Sequence, residues 1–219
     1  MCDERLWQFI APLLGEFALQ HIVLPMEDTI DAIVESLSQS LPDEPINLLG
    51  FSMGGYLASA FAVKYPARIK QLMVISNTAT GLREREIIQR KQALNWVRQY
   101  GYKGIPNKKA LAMIGEQNKK SDCLLQVIRD MDAHLGEAVL VQQLSSSLER
   151  PSLLSALEQL AIEVCFCLGD EDSVLSPEVF NSLRSHHHFR YFSAKHCGHM
   201  VPLEQPVWCA QHISMFFRC

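Results

Sequence analysis

Ser52 stands in Leu49-Gly50-Phe51-Ser52-Met53-Gly54-Gly55, after the apolar run Ile46-Asn47-Leu48-Leu49 and before a helix-like run from Tyr56 to Ala62. A serine with glycine at i−2 and i+2, between a strand and a helix, has the layout of a nucleophile elbow. The turn is tight, so Gly50 and Gly54 are expected to supply room beside Ser52. Met53, at the start of the following helix, can offer its backbone N–H to an oxyanion. A serine of this kind needs a general base and a carboxylate that orients the base. The sequence holds both, downstream and in the order acid then histidine.

The acid candidates follow Ile162-Glu163-Val164-Cys165-Phe166-Cys167-Leu168, a buried-strand pattern that stops at Gly169. Of Asp170, Glu171 and Asp172, the last is the expected triad acid. Asp170 sits directly on the strand-ending glycine and is suited to bonding turn amides, and Glu171 is expected to face solvent. Ser176-Pro177-Glu178 then has the form of an N-cap, first-turn proline and first-turn acid. The histidine candidate is His199, in Cys197-Gly198-His199-Met200-Val201-Pro202, after the strand-like run Phe189 to Ser193. Gly198 is expected to let the backbone bend there.

The elements that must position these groups alternate at both ends of the chain. Helix is expected over Leu6–Phe17, Thr29–Leu37 and Tyr56–Lys64, and strand over His21–Leu24, Ile46–Leu49 and Gln71–Ile75. Strands near Ile162 and Phe189 and a last helix over Pro202–Phe217 complete the pattern. Such alternation implies an α/β fold with a mostly parallel sheet flanked by helices. Residues 82–148 instead show four successive helical runs, Arg83–Tyr100, Lys108–Gly115, Ser121–Leu135 and Glu137–Leu148, with Gly101 and Gly104 marking a break. The domain reading is therefore a core of residues 1–81 and 149–219 with a helical insertion over 82–148. An insertion above the strand ends would roof Ser52 and shape its pocket. Trp96, Tyr100 and Met131 are the substrate-binding candidates, with Met113, His134, Asn77 and Thr78 nearby in the pattern; simple packing is the competing expectation for each.

With these sites in place, the chain resembles the α/β-hydrolase family. The resemblance rests on Gly50-Phe51-Ser52-Met53-Gly54-Gly55, on Leu168-Gly169-Asp170-Glu171-Asp172 with Pro177, and on Gly198-His199-Met200-Val201-Pro202-Leu203-Glu204-Gln205-Pro206. It extends through Tyr65-Pro66 and Arg150-Pro151. It implies an α/β-hydrolase fold with a helical cap, selects Asp172 as the acid, and points to small bacterial esterases and oxoadipate enol-lactonase-like members. Family members begin with a strand ending in His-Gly or Pro-Gly, whose loop gives a second oxyanion N–H. Here Met1 to Trp7 looks like the stretch just after that glycine, so this strand is expected to be lacking. The glycine-rich loop the family carries after Leu24-Pro25 is reduced to Met26-Glu27-Asp28, which implies a more open wall.

Composition fits one globular domain. The chain has 219 residues, 48% of them hydrophobic and 20% charged, and a net charge of −4. Scattered basic residues and a negative balance give no reason to expect nucleic acid or an anionic membrane as partner. No apolar run approaches the roughly 20 residues that span a bilayer, and the acidic start lacks a signal-peptide layout; a cytoplasmic location is expected. The seven cysteines lie mostly inside apolar runs, and Cys165 and Cys167 should share one strand face, so no disulfide is expected. His186-His187-His188, with His196, has no metal-site spacing and reads as an exposed loop.

The function expected is a serine hydrolase that needs no metal and no cofactor. It would cleave a small-molecule ester-like substrate (a carboxylic ester, thioester or lactone) through an acyl-enzyme on Ser52, with His199 as base and Asp172 as orienting acid. The alternative is a non-catalytic hydrolase-fold binding protein with an incomplete oxyanion hole.

Overall fold

The computed structural model describes residues 1–175 and 177–218. The chain opens without an α-helix: two 3-10 turns, Glu4–Trp7 and Ala11–Leu13, stand where a helix is expected over Leu6–Phe17. Pro12 withholds an N–H in the middle of that stretch, and Gly15 follows it. The strand expected at His21–Leu24 is irregular backbone. Among the described residues no strand pairs with it, and its Ile22 and Leu24 pack side-on against the apolar core instead.

Regular structure starts at α1 (Ile30–Ser40), where the Thr29 hydroxyl accepts the Ala32 N–H at 3.1 Å and Ile33, Val34 and Leu37 form the buried stripe. β1 (Ile46–Phe51), α2 (Met53–Lys64) and β2 (Ile69–Ile75) follow as a strand–helix–strand unit. The next stretch is helical, with α3 (Glu84–Tyr100), α4 (Asn107–Ala112) and α5 (Asp122–Ser146). Gly136, at φ 70° and ψ −168°, breaks α5 between the two helices expected there. Gly101 and Gly104 also have positive φ, 72° and 89°, in the link from α3 to α4.

The chain then returns to alternation through α6 (Leu154–Glu158), β3 (Glu163–Gly169), α7 (Pro177–Arg184), β4 (Arg190–Ala194), α8 (Val201–Glu204) and α9 (Pro206–Phe217). The last helix expected is thus two, parted at Gln205, because Pro206 cannot donate into a continuous ladder. The N-cap expected at Ser176 lies outside the described residues.

The four strands are all parallel, in the order β1-β2-β3-β4. Phe51 lies opposite Ile75, and Ile75 opposite Cys167. Alternation along each strand divides the core. Leu72, Val74, Val164, Phe166 and Leu168 face α1 and α2, where Leu57 and Phe61 are 1% exposed. Met73, Ile75, Cys165 and Cys167 face the other way, onto α9 and the N-terminal turns through Leu6, Ile10, Cys209 and Phe216. Cys165 and Cys167 therefore share a face. Each fully buried Leu, Ile, Val, Phe or Met stabilises by about 1.5–3 kcal/mol, so the sheet is a rigid base for loops at its C-terminal ends. Among the described residues, no helix is long and apolar enough to cross a membrane.

Candidate active site

In a parallel sheet every strand delivers its following loop to the same edge, and that edge is where such folds bind ligands. Three loops converge there. Ser52 follows β1, Asp172 lies three residues beyond the end of β3, and His199 follows β4.

Ser52 has φ 51° and ψ −116°, a left-handed conformation that a side chain adopts only under constraint. The constraint is visible on both sides. Its N–H donates to the Ile75 carbonyl at 2.8 Å, continuing the ladder, and its own carbonyl accepts from Gly55 and Tyr56 at 3.0 and 3.2 Å, starting α2. A side chain on Gly50 would fall on the Gly54 carbonyl, and one on Gly55 would press on the Gly50 carbonyl and Val74, both at 3.0 Å. Gly54 faces open space, so the pair that makes the turn possible is Gly50 and Gly55, rather than Gly50 and Gly54. Met53 is the first residue of α2, and its N–H has no acceptor among the described residues. It therefore presents a free donor, reinforced by the helix N-terminus.

His199 is 3% exposed and bonded on both ring nitrogens: Nε2 lies 3.0 Å from Ser52 Oγ and Nδ1 lies 2.8 Å from Asp172 Oδ2. The Asp172 side chain is wholly buried, and its Oδ1 accepts the Val174 N–H at 2.9 Å. A carboxylate so placed fixes the Nδ1–H tautomer and leaves Nε2 free to take the serine proton. Phe51 packs beside the imidazole, with ring centroids 5.3 Å apart.

The His199 loop is held by groups the sequence reading did not single out. Glu204 Oε1 accepts the N–H groups of Gly198 and Met200 at 3.0 and 3.2 Å. Its Oε2 accepts the Gly115 N–H and the Asn118 amide at 2.6 and 3.0 Å. The Met113 carbonyl accepts from His199 N at 2.8 Å, and the Ser76 hydroxyl donates to the His199 carbonyl at 2.7 Å. Gly198 is required by a close approach rather than by a bend, since a Cβ there would lie 2.6 Å from Gly115 N. Asp170 accepts the Cys197 N–H at 3.3 Å, a bond that reaches across to the His199 loop. Glu171 is partly exposed, and its Oε2 accepts the Glu116 N–H at 2.6 Å.

Ser52, Met53 and His199 open onto a cavity of about 960 Å³, which Asn77, Met113 and Tyr102 also line. Trp96 and Tyr100 lie elsewhere, 64% and 53% exposed and packed on each other along α3. Met131 is fully buried in the core. None of these three lines the cavity, because α3 and α5 turn other faces toward it. His134 bonds Asp3, with Nδ1 at 3.0 Å from Oδ2.

Comparison with known proteins agrees with this architecture. The profile of the alpha/beta hydrolase fold matches residues 25–121. A Bacillus subtilis (strain 168) protein, provisionally named a 2-succinyl-6-hydroxy-2,4-cyclohexadiene-1-carboxylate synthase, is 25% identical over 181 residues, 78% of this chain and 65% of that protein. A bovine (lyso)-N-acylphosphatidylethanolamine lipase is 32% identical over 72 residues, 33% of this chain and 21% of the lipase. The chain thus spans less than two thirds of the length of both curated relatives. Among solved structures, a thermophilic esterase from Thermogutta terrifontis superposes with a TM-score of 0.80 at 23% identity, over 99% of this chain and 86% of the esterase. Profile and superposition agree on the architecture: the chain has the α/β-hydrolase fold.

Proposed function

We propose that the protein is a serine hydrolase acting on a small carboxylic ester, thioester or lactone through an acyl-enzyme on Ser52. The observation that carries this reading is the unbroken relay from buried Asp172 through His199 to Ser52, with contacts of 2.8 and 3.0 Å. His199 Nε2 takes the Ser52 proton as Oγ attacks the substrate carbonyl, and the Met53 N–H stabilises the oxyanion that forms. Collapse of this adduct expels the alcohol or thiol, which leaves with the proton from Nε2. Water, deprotonated by the same nitrogen, then attacks the acyl group, and Ser52 recovers its proton as the acid departs. Asp172 stays ionised, orienting the ring and stabilising the imidazolium. His199 Nε2 thus carries each proton of the cycle, between Ser52, the leaving group and the attacking water.

The esterase and lipase similarities support ester chemistry at this site. The test is turnover of 4-nitrophenyl acetate and butyrate. The reading expects hydrolysis that Ser52→Ala abolishes and that Asp172→Asn lowers by roughly 10³–10⁴-fold in kcat. Saturable binding of small acids without turnover would favour a hydrolase-fold binding protein instead.

A further inference from the structure

Two arginines on the wall of the Ser52 cavity have no carboxylate in direct contact among the described residues. Arg90, in the middle of α3, and Arg150, just after α5, are both half-buried and both line the cavity, with Lys109 of α4 exposed at the same wall. Among the described residues none of the three forms an ion pair with a carboxylate. Arg90 donates to a hydroxyl, from Nη1 to Ser147 Oγ at 2.7 Å. Arg150 lies over the Tyr56 ring, with its guanidinium carbon 4.8 Å from the centroid, and its Nε is buried with no hydrogen-bond partner.

Most acids facing the same space are already engaged. Glu86 accepts from the N and Nε of Arg83, at 3.0 and 3.2 Å. Asp132 is taken by the Tyr102 hydroxyl at 2.6 Å and by the Met1 amine, and Asp3 by Arg5. Glu4 is solvent-exposed.

Holding like charges together in a partly dry wall is costly, and proteins leave a buried guanidinium donor unpaired rarely. The strain shows in the groups themselves. Burial, with the neighbouring Arg90 charge added, pulls Arg150 down to about 10. Burial also lowers Arg90. An anion placed between the two guanidinia would relieve each of these costs, and the planar fork of arginine matches a carboxylate bidentately.

The geometry points to a carboxylate-binding subsite formed by Arg90 and Arg150, so that the substrate of Ser52 is an ester-like molecule that also carries a free carboxylate. Tyr56 ties the subsite to the nucleophile. It stands one helical turn after Ser52, its N–H donating to the Ser52 carbonyl at 3.2 Å, and it holds Arg150 on its ring face and the Pro151 carbonyl on its hydroxyl at 2.7 Å. This inference rests on the proposed serine hydrolase reading and deepens it by naming the substrate class.

The experiment compares kcat/KM for 4-nitrophenyl butyrate and for the 4-nitrophenyl monoester of succinic acid, a neutral and an anionic ester of matched length. The wild type is expected to prefer the anionic ester by about tenfold to a hundredfold, the range for hydrogen bonds to charged groups. Arg150→Met and Arg90→Met should bring that ratio close to one, and Arg150→Lys should restore only part of it. Equal use of the two esters by the wild type, or a ratio unchanged in both methionine variants, overturns the subsite. Direct binding of succinate, measured by calorimetry on Ser52→Ala and on Ser52→Ala/Arg150→Met, separates the two readings. If neither ester is turned over, the hydrolase reading fails. Succinate binding that is lost with Arg150 would still uphold the subsite, and absence of binding would overturn it. Should Arg150→Met fail to fold, Arg90→Met gives the same comparison from the other side.

Discussion

Glu204 is the residue whose loss the structure converts most directly into a number. Its two oxygens accept four donors, Gly198 and Met200 from the histidine loop and Gly115 and Asn118 from the segment packed on it. Glu204→Gln keeps one acceptor oxygen and turns an amide NH2 toward the other two donors. Each buried donor left without an acceptor costs about 1–3 kcal/mol. Because Glu204 is only half-buried, water recovers some of this, and a net loss of about 3 kcal/mol is expected. For a chain of this size that corresponds to a fall in Tm of about 6–12 °C. Catalysis should suffer separately, because His199 lies between the two tethered amides. A displacement of about 1 Å in a reacting group costs on the order of 10²-fold. The drop should fall on kcat, with KM nearly unchanged, since Glu204 does not line the cavity. Thermal unfolding followed by circular dichroism and steady-state hydrolysis of 4-nitrophenyl butyrate measure the two effects. A variant with wild-type Tm and wild-type kcat would refute the clamp.

Ser52 offers a second test, of strain. At φ 51° a Cβ costs about 1–3 kcal/mol, and glycine's extra chain entropy costs about 0.5–1 kcal/mol. Ser52→Gly is therefore expected to be about 1 kcal/mol more stable in urea than Ser52→Ala, the reverse of the usual order; equal midpoints, or a more stable alanine variant, would contradict the strained elbow. Asp3 predicts a pH dependence. Burial raises its carboxyl, but the hydrogen bonds from Arg5 and His134 outweigh it and hold the group down at about 2, against 3.8 when free. A depressed carboxylate stabilises fully above the unfolded value and loses that contribution as pH falls through the folded one. The stability gap between wild type and Asp3→Asn should hold above pH 3.8 and close toward pH 2, and a gap independent of pH would argue against the Arg5–Asp3 pairing.

The parts of the fold that are legible in sequence are those governed by local rules. Thr29 is a cap because a hydroxyl suits the first turn of an amphipathic run, and α1 starts there. Strand faces follow from alternation, which puts Cys165 and Cys167 on one side. The N-terminal segment is harder, because His21–Leu24 has strand composition but needs a neighbouring strand to become one, and pairing is not a local property. The glycines show the same limit. A motif spaced as Gly-x-Ser-x-Gly draws the eye to Gly54, whereas the close approach that excludes a side chain is between Gly50 and Gly55.

Within the site, Ser52, Asp172 and His199 are legible because each follows a strand and triad order is fixed by the fold. Glu204, Ser76 and the Met113 carbonyl are not, since their partners come from segments far off in sequence. Trp96, Tyr100 and Met131 have the right residue types for a pocket. Which face of α3 or α5 meets the cavity depends on helix packing, and packing turns these side chains to solvent or to the core. Arg90 and Arg150 become a pair only when α3 and the end of α5 are brought together.

The central claim is that Ser52 is the nucleophile, made so by His199 and Asp172. Its most direct test is intact-mass analysis and peptide mapping after brief treatment with a fluorophosphonate. The account predicts one adduct per chain, on the peptide containing Ser52, absent in Ser52→Ala and formed far more slowly in His199→Ala. An unlabelled wild type, or an adduct that persists in Ser52→Ala, would contradict it.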